Sequence, residues 1–349
     1  MESKTLHILY SGLGGTTNYV ANWVKAAGNS MQIDCLFYGI EDLNSKTRAQ
    51  FENLGVHVYF VKKKSRIDFK GHRQIKTILK KGYENVILHI DSLIIPVAKH
   101  KPANTKLIAV EHQANHLKDK RRWLWSKLSQ KKADAIISLT ESYQLELKKK
   151  LNNFFPSKNH IIKTGIDIEH YNTPSDRQEK LYGAVGRLNG QRDFETLIYA
   201  FNDLDNSYQL EIAGIGEEME RLMNLANENI KFLGELKDQE MVKFLNRISV
   251  FLKPSFGETS SPAIMEAQAA GLPVIAWKVN GITNVLNDEN SILVAPKDKH
   301  ALKNAVVRLS GENEQSLREI QRLSKASMKY AEDNLSHVDM FNSYKALMK

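Results

Sequence analysis

Short runs rich in β-branched and aromatic residues recur down the chain, and segments with helical spacing of apolar residues stand between them. The runs are Thr5–Tyr10, Gln32–Tyr38, Val56–Val61, Asn85–Ile90, Lys106–Val110 and Asp134–Leu139, then Lys180–Val185, Gln209–Ala213, Ile230–Leu233, Val250–Leu252, Pro273–Trp277 and Ser291–Val294. Helical spacing is read at 17–27, 71–81, 117–131, 141–150, 193–202, 217–227, 238–246, 262–270, 299–309 and 315–346. Strands alternating with helices give parallel sheets covered on both faces. Twelve such strands exceed one sheet of ordinary size, so the pattern predicts an α/β protein of two doubly wound, Rossmann-like domains facing an interdomain cleft. The 349 residues allow it, at about 150 residues per domain. Asn152–Lys180 shows little periodicity and holds Pro156, Gly165 and Pro174, which places the linker near Gly165–Tyr171. The expected division is 1–165, 166–330, and a terminal helix 331–349.

Composition narrows the class. A single cysteine, Cys35, excludes an intrachain disulfide and argues against a cysteine-ligated zinc site. No stretch approaches the roughly 20 apolar residues needed to span a bilayer. Met1–Tyr10 lacks the apolar core and cleavage site of a signal peptide, so a cytoplasmic protein is expected. The net charge of +9 is unevenly spread: residues 1–168 carry 28 Lys+Arg against 14 Asp+Glu, residues 169–349 carry 21 against 26. A basic half facing a polyanion or an anionic membrane is one reading of this, a lysine-rich surface the other. Leu117–Lys132 (LKDKRRWLWSKLSQKK) is basic with two tryptophans, Trp123 and Trp125. It reads either as a helix lying on anionic lipid at the inner face of the membrane or as an ordinary helix packed on its sheet.

In open parallel sheets, ligands bind at the carboxyl ends of strands where the strand order reverses, so chemistry is sought directly after the runs. Ser11–Thr17 (SGLGGTT) follows the first strand; its glycines, Gly14 and Gly15 among them, allow backbone to approach a ligand, and a helix start supplies free N–H groups for a phosphate. No Gly-Lys-Ser/Thr closes the loop, and Thr17 stands where a dinucleotide fingerprint has its third glycine. Arg187 and Arg192 flank a glycine-containing loop after Lys180–Val185 and are candidates for clamping a diphosphate. Phe256–Ile275 reads loop, N-cap (Ser261), proline in the first turn, helix, glycine stop and strand. Its helix start suits phosphate. Glu266, in an apolar and small-residue run, suits the diol of a ribose, and Glu258 in the preceding loop suits sugar hydroxyls. His112 follows Lys106–Val110, where a ligand-contacting residue belongs; His89 and Asp91 are weaker parallels. His112 and His116 stand four apart, but no carboxylate or cysteine completes a metal set, and no metal site is expected.

The stretch Glu258–Val274 resembles the E-x7-E region of retaining GT-B glycosyltransferases, most closely glycosyltransferase family 4. The resemblance also takes in Gly14-Gly15, His112, Thr164–Asp167, Gly186-Arg187-Leu188, Ala213–Gly216, Phe232–Gly234, and Gly281 ahead of Asn290–Val294. It implies that the fold is GT-B, that Arg187 and Arg192 hold the donor diphosphate with Ser260 and Ser261, and that Glu266 holds the ribose. Glu258 and His112 would sit at the transferred sugar, with Gly14 and Gly15 near the phosphates. The implied reaction is retaining transfer of a hexose or N-acetylhexosamine from a nucleotide-diphosphate sugar, UDP favoured over GDP, with no metal. The expected acceptor is a saccharide, lipid-linked or polyanionic, in bacterial surface polysaccharide or glycolipid assembly, with no nucleic-acid partner. A non-catalytic nucleotide-sugar binder and an inverting transferase or epimerase are the alternatives. The sequence departs from the family at Arg192, usually lysine, at Thr259-Ser260-Ser261, and at Asn284, often glutamate.

Overall fold

The computed structural model describes residues 3–12, 15–65, 68–112, 115, 118–152, 158–173, 176–258 and 261–348. The chain divides into two compact units: Met1–Gly165 with His337–Lys349, and Ile166–Ser336.

The first unit runs β1 (Lys4–Tyr10), α1 (Gly15–Ala27), β2 (Gln32–Gly39), α2 (Ser45–Asn53), β3 (His57–Lys62), α3 (Phe69–Leu79), β4 (Asn85–Leu88), α4 (Ile94–His100), β5 (Lys106–Glu111), α5 (Lys120–Lys132), β6 (Ala135–Ser138), α6 (Glu141–Leu151) and β7 (Asn159–Ile161). Its strands form one parallel sheet in the order β3-β2-β1-β4-β5-β6-β7. Successive side chains of a strand face opposite ways, and β2 shows the consequence. Ile33, Cys35 and Phe37 join the apolar cluster on one face, while Leu36 and Tyr38 join that on the other. Both faces are therefore cores, which is why these strands read as continuous apolar runs.

The second unit runs α7 (Ile168–Tyr171), β8 (Leu181–Val185), α8 (Phe194–Asn202), β9 (Gln209–Ala213), α9 (Met219–Leu225), β10 (Ile230–Gly234), α10 (Asp238–Arg247), β11 (Val250–Lys253), α11 (Pro262–Ala269), β12 (Val274–Trp277), β13 (Ser291–Val294), α12 (Lys299–Arg308) and α13 (Glu314–Asn334). Its sheet is also parallel, in the order β10-β9-β8-β11-β12-β13. The last helix, α14 (His337–Lys345), returns to the first unit and packs on α1. There the Tyr19 and Tyr344 hydroxyls share a hydrogen bond of 2.8 Å, and Trp23 stands edge-on to Phe341 at 5.1 Å.

All twelve strand runs are strands, and the two doubly wound sheets are as expected. The structure differs in four places. A thirteenth strand, β7, lies in the segment read as aperiodic; three residues at a sheet edge carry no period. The division between the units falls at Gly165–Ile166, inside the segment read as the linker, where Asp167 caps the turn α7. The helix read over 315–346 breaks after Asn334, where the Ile166 amide donates to Leu335 and Ile166 bridges Ser336, a pairing distant in sequence. The second unit therefore runs on to Ser336. Helices α2 and α4 were invisible to periodicity: α2 buries only Phe51, and α4 is only about two turns around Pro96.

The helix α5 settles as a packed helix. Trp123 lies against Tyr143, Leu147 and Leu151, and Trp125 against the cluster on one sheet face. Both tryptophans are half-buried against the fold, as the reading of an ordinary packed helix expects. No helix among the described residues is long and apolar enough to cross a membrane.

Candidate functional site

In the first unit the strand order reverses between β1 and β4, and a row of three imidazoles stands there. His7 sits within β1, His89 just past β4 and His112 just past β5. His7 Nδ1 and His89 Nε2 are 3.0 Å apart, and His89 Nδ1 and His112 Nε2 are 2.7 Å apart. The His7 and His89 rings stack at 5.3 Å, and the Tyr19 ring stands edge-on to His112 at 5.0 Å. Burial pushes all three pKa values down, to about 3 for His7 and about 4 for His112, so the row is neutral at pH 7.

Two hydrogen bonds in a neutral row need one proton each, which leaves two tautomeric arrangements. In one, the third proton sits on His7 Nε2, which is buried without a partner. In the other, His7 Nε2 is bare and His112 carries its proton on Nδ1. A buried N–H without an acceptor costs more than an unused ring lone pair, so the second arrangement is favoured. His112 then presents an Nδ1–H donor. It lines a pocket of about 420 Å³ with Tyr10, Asp91, Glu111, Arg121 and Arg122.

Under this pocket lies a buried ion pair. Lys118 Nζ donates to Glu111 Oε2 at 2.6 Å and to Ser126 Oγ at 2.7 Å. The Tyr143 hydroxyl also donates to Glu111 Oε2, at 3.2 Å, while Glu111 Oε1 is buried without a partner. Burial first, and then the charge of Glu111, raise the pKa of Asp91.

In the second unit the reversal falls between β8 and β11, and the cations gather at those strand ends. Arg187 is exposed with no described partner. Arg192 is not a free fork: it pairs with Glu258 at 3.0 Å and donates to Ser255 Oγ and to the Gly257 carbonyl. Lys253, the last residue of β11, reaches Glu258 Oε1 at 3.2 Å and the Val185 carbonyl at 3.2 Å. Burial pushes the pKa of Lys253 down, against the pull of Glu258. Described bonds to Glu258 fall on Oε1, so this carboxylate is oriented by two cations, where the sequence suggested a loose loop residue. Lys253 was missed in the sequence, although a lysine closing the apolar run Val250-Phe251-Leu252 at its carboxyl end was the available signal.

Helix α11 begins beside this cluster. Ser261 holds the N-cap position but makes no capping bond; its Oγ is buried and without a partner at the positive end of the helix. One turn in, Glu266 is hydrogen-bonded by Tyr171, and burial pushes its carboxyl up to about 7. Gly15 opens α1 in the first unit; Gly14, Thr259, Ser260 and His116 lie outside the described residues.

The loop carrying Glu258 rests on a glycine. Gly281 has φ +88°, and a Cβ there would fall 1.6 Å from the Glu258 carbonyl oxygen. Gly281→Ala is expected to cost about 1–3 kcal/mol in urea unfolding of the second unit, the usual size of backbone strain, and to displace Glu258. An unchanged unfolding midpoint overturns this.

Comparisons with known proteins agree across both units. Residues 13–170 match the family model Glycosyltransferase Family 4, and residues 179–312 match Glycosyl transferases group 1. The chain is 27% identical over 223 residues to the capsular polysaccharide biosynthesis glycosyltransferase CapM of Staphylococcus aureus, covering 56% of this chain and 57% of CapM. It is 23% identical over 192 residues to the putative teichuronic acid biosynthesis glycosyltransferase TuaC of Bacillus subtilis, covering 52% and 48%. The chain thus spans about half the length of the curated relatives it matches. Among solved structures, Anabaena HepE in complex with UDP and glucose superposes with a TM-score of 0.83 at 14% identity, covering 99% of each chain. S. aureus TarM in complex with UDP gives 0.79 at 13% identity, again covering 99% of each chain. The fold is GT-B.

Proposed function

We propose that this chain, whose two halves match glycosyltransferase domain families and whose fold is GT-B, is a retaining glycosyltransferase. It moves a hexose or N-acetylhexosamine from a UDP-sugar to an acceptor saccharide hydroxyl in surface polysaccharide or glycolipid assembly. The observation that carries the reading is the cluster at the β8–β11 switch point. Arg192 and Lys253 converge there on Glu258, beside a helix start whose Ser261 Oγ has no partner. Such a site offers fixed positive charge and an unused hydroxyl to a diphosphate.

In this reading Arg187, Arg192, Ser260, Ser261 and the α11 amides hold the diphosphate, with Lys253 as a third cation. Glu266 accepts from the ribose hydroxyls, Glu258 meets the transferred sugar through Oε2, and His112 donates to it from Nδ1. Gly14 and Gly15 approach the phosphates. The bond from the anomeric carbon to the diphosphate breaks while that carbon bonds to the acceptor oxygen on the same face. The acceptor proton passes to the departing diphosphate oxygen. Protein cations and helix amides carry the charge on the leaving group, so no metal is invoked. A cytoplasmic location, where nucleotide sugars are used, completes the reading.

The test is incubation with UDP- and GDP-sugars and NMR detection of the released or transferred anomer. Release of UDP with the donor's anomeric configuration retained is expected. Inverted product overturns retention, and no turnover or binding of any nucleotide sugar overturns the function.

The raised pKa of Glu266 gives a further prediction. Only the carboxylate accepts from both ribose hydroxyls. With a pKa of about 7, UDP binding tightens by about tenfold between pH 6 and pH 8, beyond any change from the phosphates themselves. The unfolded carboxyl titrates lower, so the ligand-free second unit loses stability as pH rises toward and through 7. Glu266→Gln removes both dependences. Calorimetry from pH 6 to 8 checks this; equal slopes in the two proteins refute the assignment.

A further inference from the structure

We propose that the groove between α3, α4 and α5 binds an anionic glycan, a saccharide chain bearing carboxylate or phosphate groups, as the acceptor. The proposal rests on the reading of the chain as a glycosyltransferase and deepens it.

The groove has a volume of about 600 Å³ and lies wholly within the first unit. Its charged lining is of one sign. Arg73 and Lys76 from α3, Lys99 from α4 and Arg121 from α5 contribute cations, and no acidic side chain among the described residues lines it. None of these four has an ion-pair partner among the described residues, although the protein pairs cations freely elsewhere. After burial, the charges of Lys76 and Lys99 and the imidazole of His72 are what lower the pKa of His100, a measure of how closely the cations crowd. Holding unpaired cations together costs Coulomb energy, which an anionic ligand relieves.

The remaining lining mixes Lys63, His72, Ser92 and His100 with apolar and aromatic side chains. Phe69 is 79% exposed, and Trp125 shares the wall. Aromatic faces beside forked cations fit sugar rings that carry acidic groups better than they fit a bare inorganic anion. Ser92, Arg121 and Trp125 line both this groove and the pocket of His112, so the two are neighbours across a shared wall. A chain lying in the groove reaches the His112 pocket with its end.

A lipid surface is the competing occupant of a basic face. The cations here line a furrow between three helices, so charge is offered to a threaded chain more than to a bilayer plane.

The test uses the full chain with fluorescently labelled hexagalacturonate, labelled maltohexaose as the neutral control, and phosphatidylglycerol vesicles. Hexagalacturonate should bind by anisotropy at low salt, weaken steeply with salt, and exceed maltohexaose by about tenfold or more. The double variant R73E/K99E should lose that binding by about tenfold or more, with UDP affinity and melting temperature unchanged. Equal binding of the two hexasaccharides, or binding insensitive to the double variant, overturns the proposal. Vesicle binding lost in the variant without hexagalacturonate binding overturns it in favour of lipid. UDP binding reads the second unit separately: its absence from the unmutated chain defeats the glycosyltransferase reading, whereas its presence without hexagalacturonate binding defeats only the groove.

Discussion

His112→Ala lowers turnover by about 100-fold, the size of loss when one preorganised donor is removed from a reacting centre, and leaves UDP affinity unchanged. The expectation follows from the imidazole row. His89 Nδ1 stands 2.7 Å from His112 Nε2, which commits that nitrogen and leaves Nδ1 for the substrate. An asparagine amide nitrogen reaches about where Nδ1 stands, a glutamine nitrogen about where Nε2 stands. His112→Asn should therefore recover part of the lost rate and His112→Gln should not. With its pKa lowered to about 4, His112 carries no charge change between pH 6 and 8, and the kcat profile shows no histidine limb in that range. Steady-state kinetics on the three variants check it. Normal turnover of the alanine variant returns His112 to a packing role, and rescue by glutamine reverses the tautomer.

Lys118→Ala destabilises the first unit by about 3–5 kcal/mol, because it strands the Glu111 charge in the interior. Lys118 is the only charged partner within ion-pair distance of Glu111 among the described residues, and its side chain is fully buried. The Ser126 and Tyr143 hydroxyls that remain are dipoles, which cannot replace a full charge. The double variant Lys118→Met with Glu111→Leu removes both charges and should recover much of the loss. Three of the four tryptophans, Trp23, Trp123 and Trp125, lie in the first unit, so urea unfolding followed by tryptophan fluorescence reports mainly on it. A loss below about 1 kcal/mol means that the pair contributes no more than a surface ion pair does.

These two residues also mark how far the sequence could be read. His112 was legible because it stands directly after the fifth apolar run, where parallel sheets place ligand-contacting groups. Its dependence on His7 and His89 was not, since the three lie on different strands and only the sheet order β1-β4-β5 makes them neighbours. Glu266 stood out as a carboxylate in an apolar run. That it meets Tyr171, from the segment read as a linker, is a contact between distant parts of the chain. Arg187 and Arg192 were equivalent in sequence, yet Glu258 and Ser255 engage one and leave the other exposed.

What the sequence by itself determined is what repeats at short range: the period of the strands, their alternation with helices, the helix starts and stops, and therefore two parallel sheets with functional loops at their strand ends. Those features are set by steric and hydrophobic preferences acting within a few residues. The tertiary structure alone decided which charges are spent on one another and which remain for a ligand. Lys118 is consumed by Glu111, and Arg192 and Lys253 share the single carboxylate of Glu258, while Arg73, Lys76, Lys99 and Arg121 line an open groove with no ion-pair partner among the described residues. Pairing of that kind depends on burial and on distances of a few ångströms between groups far apart in the chain. Local sequence carries no record of either.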